Sequence, residues 1–327
     1  MHIPDHYLSP QTCAVMTAFM APVWAVSVAR VKKKKITSSK IPLIGISAAF
    51  TFIIMMFNIP LPGGTTGHAT GAALAGILIG PYAASLAVSV SLLIQALLFG
   101  DGGILAFGAN CFNMAFVIPF AGYYLYWLFK RLFSSLKGKE FVSTFLAGYI
   151  SLNLAALMAS IEFGIQPLLF KDAAGMPLYC PYPLQISIPA MMLPHLLVAG
   201  IAEGLVTAGV LVFLRRTISN TVEEFPELKL SPIYALLMGL VLLSPVGLLA
   251  EGTAWGEWGK EELLNMFGKI PEGIEKGFEF FAPFRDYTLF GVPEVAGYVI
   301  SAIIGVAAIL IIFKIAGFFW KKGGVSK

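Results

Sequence analysis

Residues 68–100 read HATGAALAGILIGPYAASLAVSVSLLIQALLFG, a run without one Asp, Glu, Lys or Arg. A helix crosses the hydrocarbon core of a bilayer with about 20 mostly apolar residues. The run is too long for one comfortable crossing, and Gly80-Pro81 interrupts it. Proline removes a backbone donor and clashes with the preceding turn, so a helix stops there. The stretch therefore predicts a short helix over about 68–79 and a longer one over about 82–99. Whether it counts as one crossing or two decides the side of the membrane on which every later loop lies.

Further apolar runs lie at about 11–30, 41–60, 104–129, 140–165, 186–214, 231–250 and 292–319. With the split run they make nine helices. Basic residues test the number, because Lys and Arg collect on the cytoplasmic side. Arg30, Lys32, Lys33, Lys34, Lys35 and Lys40 follow the first run, so that helix is expected to run from outside to inside. Alternation then also puts Lys130, Arg131, Lys137, Lys139, Arg215, Arg216, Lys229, Lys314, Lys321, Lys322 and Lys327 inside, which makes seventeen of the 22 basic residues. The other five, Lys171, Lys260, Lys269, Lys276 and Arg285, fall outside. Merging 68–100 into one crossing would destroy this bias. The expected fold class is an all-α integral membrane protein of seven core helices and two more flanking a small external domain, with the N-terminus outside and the C-terminus cytoplasmic.

Composition agrees. Of 327 residues, 57% are hydrophobic and only 12% charged, with a mean hydropathy of +0.81. Soluble domains carry about twice that charge. The net charge of +4 resides in loop ends, a topological use that speaks against a nucleic-acid partner and for membrane lipid. Cys13, Cys111 and Cys180 lack CxxC spacing, so neither a zinc site nor a disulfide framework is written, and each is expected to pack as a small apolar residue. The first segment lacks the basic start and small-residue cleavage site of a signal peptide, so the terminus is expected to persist and to face outward.

Past Arg216 the character changes. Residues 1–217 read as a membrane core and 218–230, with NTVEEFPELKL, as a cytoplasmic linker. Residues 231–327 read as a helix–external domain–helix module whose external part is about 251–291.

The chain opens MHIPDHYLSP, with two of its four histidines. An α-amine, with an ordinary pKa near 8, can lose its proton to a cation, and so can the backbone nitrogen of residue 2. With imidazole Nδ1 they would close two fused chelate rings in one plane around a metal. Square-planar nitrogen donors suit Ni(II), Cu(II) or Co(II). His68, in NIPLPGGTTGHATGAALAG, is expected on the same face and could supply the fourth nitrogen. Methionine is generally kept before a bulky second residue, so His2 would protect the amine. Alternatively, His2 is an ordinary residue at the membrane interface. Both accounts stand on the residues alone.

Near the next external turn lie Gln95, Asp101 and Asn110. Gln95 and Asn110 could orient the His68 ring and its loops, or merely cap and turn. Asp101, before two glycines, reads as a turn residue. Among polar residues within the spans, Asn113, Asn153, Glu162, His195 and Glu203, the last two sit eight apart near one helix face. A proton relay, as in a membrane enzyme, competes there with plain interhelical hydrogen bonding. There is no HExxH and no GxxxxGK[ST], so neither that protease chemistry nor P-loop ATP hydrolysis is expected.

MHIPD-YLSP, LPGGTTGHATGAALAG, QALLFGDGGILAFGAN and AEGLVTAGVL resemble the CbiM/NikM family over about 1–217. These are the substrate-binding S components of energy-coupling factor (ECF) transporters for cobalt and nickel. The tail, with SPVGLLAEGTAWGEW, is similar to the CbiN/NikN-type or PDGLE-type component fused in some members. The resemblance implies a non-enzymatic subunit of the cell membrane that takes Ni(II) or Co(II) as substrate and carries no organic cofactor. It implies a square plane of the Met1 amine, the His2 backbone nitrogen and the His2 and His68 imidazoles. It also implies a transmembrane T component and cytoplasmic ATPases as partners, serving either cobalamin biosynthesis or nickel enzymes. His6 replaces the family's usual glycine and offers an extra nitrogen nearby. An S component for another small substrate, indifferent to His2, is the rival within this class.

Overall fold

A computed structural model describes residues 1–33, 41–217 and 231–323. The expected linker 218–230, together with Lys34, Lys35, Lys40, Lys229 and Lys327, lies outside the described residues. Helices α1 (Pro10–Lys33) and α2 (Ile41–Met55) lead to a hairpin of β1 (Ile59–Leu61) and β2 (Thr65–Gly67), paired antiparallel with Pro60 opposite Thr66. Then come α3 (Ala72–Ile79) and α4 (Pro81–Ile94), which continues into a π turn, Gln95–Phe99. Three long helices follow: α5 (Phe107–Leu132), α6 (Lys139–Leu169) and α7 (Leu184–Arg216). Next are α8 (Ser231–Leu243), the short α9 (Lys260–Phe267) and α10 (Glu272–Glu275), and α11 (Glu294–Gly323).

Among the described residues, six helices are long and apolar enough to cross a membrane: α1, α4 with its π turn, α5, α6, α7 and α11. The segments Ile41–Met55 and Ile233–Leu249 are apolar but shorter. The chain breaks at Gly80, whose φ of 82° needs glycine, and Pro81 opens the next helix, as the sequence predicts. The short helix departs from expectation. It starts at Ala72 rather than 68 and has eight residues, a helical length of about 12 Å against a hydrocarbon core of about 30 Å. Just before it, the Thr70 and Gly71 N–H groups are taken by the Glu203 carboxylate.

Helices in lipid associate through close packing rather than expulsion of water, which favours small residues at contacts. A Cβ on Gly76 would sit 2.5 Å from the Pro119 carbonyl oxygen, and one on Gly122 would sit 3.1 Å from the Ala73 Cα. The α3 and α5 backbones therefore touch, and adding one methyl group would separate them. Large apolar side chains such as Val15 and Leu197 face outward, which a lipid environment accepts at no cost. Cys13, Cys111 and Cys180 are buried and free, as packing residues should be.

The C-terminal part does not stand apart. Tyr298, Ala302 and Ile309 of α11 share a core with Phe52 and Ile53 of α2. The Phe52 ring lies against the backbone at Gly305. Residues 250–293 form an irregular cap of short helices over the N-terminal segment. There Ile3, Tyr7 and Leu8 are packed with Phe163, Cys180, Leu263 and Ile274.

Candidate metal site

The first nine residues are threaded into the protein rather than left in solvent. Met1 and His2 are buried and Ile3 is fully so. Asn110 fixes this segment twice: its Oδ1 accepts from Ile3 N at 2.7 Å and its Nδ2 donates to Ile3 O at 3.0 Å. Gly103 N also donates to Ile3 O, at 2.8 Å, and Ser9 N donates to Gln166 Oε1 at 3.0 Å. The Tyr7 hydroxyl donates to Trp258 O at 2.8 Å, tying the N-terminal segment to the cap.

His68 reaches the same spot from the loop after β2. Its Nε2 lies 3.2 Å from His2 Nδ1, and the ring centroids are 5.1 Å apart. The outer nitrogens of both rings face carbonyl oxygens, which can only accept. His68 Nδ1 donates to Ala69 O at 3.0 Å and His2 Nε2 donates to Gln95 Oε1 at 3.3 Å. Each neutral ring carries one hydrogen, and that hydrogen is already committed. The two facing nitrogens therefore present lone pairs to one another. Asp101 Oδ1, 3.3 Å from His2 Nδ1, adds a third acceptor to the same small volume.

Protons do not fill the gap. Burial, then the N-terminal charge, pushes His2 down to about 3, against a small rise from Gln95. Burial, then His2 and the N-terminus, pushes His68 down to about 3 as well, with Asp101 opposing. Both rings are neutral at physiological pH. The Met1 amine is 3.4 Å from Glu257 Oε1, contributed by the cap. Burial raises Glu257 to about 7, partly offset by that amine. Among the described residues no three His, Cys, Asp or Glu side chains are grouped so that they could hold a metal ion by themselves.

The loop carrying His68 is anchored from below. Glu203, fully buried on α7, receives Thr70 N at 2.6 Å and Gly71 N at 3.0 Å on Oε2, and Ala73 N at 3.4 Å on Oε1. A carboxylate at a helix N-terminus satisfies orphan N–H groups and complements the helix dipole. Glu203 thus holds the segment from Thr70 to Ala73 that follows His68. His195 is not its partner. That ring donates through Nδ1 to Met191 O at 2.7 Å and shares a cavity of about 10 Å³ with Met1, Thr66 and Trp255. Glu162 instead accepts from Asn113 Nδ2 at 2.8 Å.

Of the residues singled out from sequence, Met1, His2, His68, Gln95 and Asn110 come together here. His6 does not join them. Its φ of 76° is the left-handed conformation that a glycine takes more readily, and its ring packs against Gly277 of the cap. Asp101 is more than a turn residue, since it touches both His2 and Tyr287. Glu257 and Tyr287 were not legible as site residues.

A buried pair of imidazoles thus lies near the N-terminal amine, itself paired with Glu257, in a multi-pass helical membrane protein. The chain belongs to the CbiM family, the cobalt uptake substrate-specific transmembrane region, which it matches over residues 2–220, and it carries a PDGLE domain over 231–322. It is 48% identical over 322 residues to the "probable fused nickel transport protein LarMN" of Lactiplantibacillus plantarum, covering 96% of this chain and 97% of that one. It is 46% identical over 332 residues to the fused nickel transport protein NikMN of Rhodobacter capsulatus, covering 95% of each. A crystal structure of a transition metal transporter is similar at 52% identity and a TM-score of 0.62, over 67% of this chain and 95% of that one. The protein is a non-enzymatic, multi-pass membrane component of metal transport.

Proposed function

We propose that the chain is the substrate-capture subunit of an ATP-driven ECF-type importer of nickel or cobalt ions. It binds the ion at its outer face through four nitrogens: the Met1 amine, the His2 backbone nitrogen, His2 Nδ1 and His68 Nε2. The observation that carries this is the approach of His68 Nε2 to His2 Nδ1, at 3.2 Å. Neighbouring donors in a square plane with metal–nitrogen bonds of about 2.0 Å sit about 2.8 Å apart, so an ion entering between the rings needs them to close by only a few tenths of an ångström. Gln95, Asn110 and Asp101 surround these donors as hydrogen-bonding partners. Four nitrogens in a plane suit Ni(II), and the two full-length relatives named for nickel support that ion. Co(II) accepts the same donors, and the family is described for cobalt uptake.

Residues 1–217 form the metal-binding membrane core, 218–230 a cytoplasmic linker and 231–327 the fused module. The N-terminus faces outward and the C-terminus the cytoplasm, in keeping with the positive-inside distribution of Lys and Arg. The chain has no P-loop, so the energy comes from cytoplasmic ATPases acting through a transmembrane T component. The test is calorimetric titration of the purified protein with Ni(II) and Co(II), beside His2→Ala and His68→Ala. Each substitution is expected to abolish high-affinity binding. Alanine variants that bind like the parent would overturn the reading.

A further inference from the structure

Tyr287 belongs to the fused module, 186 residues from its partner Asp101, yet it reaches the network behind His2. Its single proton goes to Asp101 Oδ2, at 2.6 Å. Its oxygen is then left to accept, and Gln95 Nε2 lies 3.2 Å away, with Asp101 Oδ2 at 3.3 Å from the same nitrogen. A carboxylate oxygen and a spent phenol oxygen both demand a donor. The buried Gln95 amide must therefore turn its NH₂ toward them and its carbonyl toward His2. A carbonyl facing His2 Nε2 requires the hydrogen there, which leaves Nδ1 bare. Nδ1 is the nitrogen that can share fused chelate rings with the Met1 amine and the His2 backbone nitrogen.

The tyrosine is held for this position at a cost. Asp286 and Tyr287 have φ of 54° and 60°, two successive non-glycine residues in the left-handed region. Such backbone is uncommon and persists only where the surroundings over-determine it. Here the ring stacks on Phe99, with centroids 4.7 Å apart and planes at 19°, and Ser301 Oγ donates to Tyr287 O at 2.9 Å. The Tyr298 ring also packs against it, with centroids 5.4 Å apart.

We propose that Tyr287 is a positioning residue for the metal site: through Gln95 it fixes the His2 tautomer that offers Nδ1, so the fused module completes the site. This rests on His2 being a metal ligand. Partners behind a ligating histidine are worth roughly 10- to 100-fold in metal affinity.

Tyr287→Phe keeps the stacked ring and removes only the hydroxyl. In the purified full chain it is expected to weaken Ni(II) binding by roughly 10- to 100-fold. Imidazole ¹⁵N spectra of the metal-free protein should change from one His2 tautomer to a mixture, a signal that loosened packing alone does not produce. Gln95→Met breaks the same relay without touching Tyr287, and the double variant should bind no more weakly than the weaker single one. His2→Ala serves as the control. If it binds Ni(II) normally, the underlying reading fails. If His2→Ala loses binding while Tyr287→Phe keeps the parent affinity and tautomer, the reading stands and the role of Tyr287 is refuted. Additive losses in the double variant would refute that role too.

Discussion

Glu203→Gln tests how the His68 loop is held. Glutamine has the same shape, but one of its two acceptor oxygens becomes a donor. In the native protein both oxygens are spent on N–H groups of residues 70–73. The variant must therefore turn an NH₂ toward at least one backbone N–H and lose the bonds made there. Hydrogen bonds to a charged acceptor contribute about 1.5–3 kcal/mol each, and a carboxylate at a helix N-terminus adds up to about 2 kcal/mol in buried settings. One bond lost with the terminal charge gives roughly 2–5 kcal/mol, overlapping the loss expected when one partner of a buried charged contact is removed. Chemical unfolding of the detergent-solubilised protein should register this loss. Nickel titration should show at least tenfold weaker binding, because Thr70 is only two residues beyond His68. Glu203→Asp, which withdraws the carboxylate by about 1.5 Å, should act in the same direction. Unchanged stability and unchanged nickel affinity in Glu203→Gln would refute the anchoring argument.

Gly102 has φ +85°, and a Cβ there would lie 3.0 Å from Asn110 Nδ2 and 3.3 Å from His2 Cδ2. Gly102→Ala should cost about 1–3 kcal/mol in backbone strain and weaken nickel binding, as seen by unfolding and titration together. Nickel affinity should also rise with pH. His2 and His68 are already neutral above about 3, so they release no protons near pH 7. The His2 backbone nitrogen becomes a donor only by giving up its proton. Each proton displaced by the ion means about a tenfold gain per pH unit, measurable by titration across buffers. The imidazoles would oppose binding only in acid, near pH 3.

Much of this was legible in the chain. Gly80-Pro81 announces its own break because glycine conformation and proline sterics are local. Met1 with His2 is a chelate written in two adjacent residues, and topology alone suggested His68 as its neighbour. Asn110 and Gln95 stood out as polar residues near an external turn. Asp101 was hidden by its own plausibility, since Asp-Gly-Gly accounts for itself as a turn. Glu203 drew notice as an acid within a membrane span, but its partners are backbone N–H groups, which leave no trace in sequence. Glu257 and Tyr287 were beyond reach for a simpler reason. They meet Met1 and Asp101 across 256 and 186 residues, contacts made by how the cap folds back rather than by any local pattern.

The amine is the least replaceable of the proposed donors, so one added residue in front of Met1 is the most direct test. The native chain should bind one Ni(II) with the absorption spectrum of a square-planar four-nitrogen complex, and the extended chain should show neither the spectrum nor the affinity. Nickel bound by the extended chain with the same spectrum and the same strength would contradict the account.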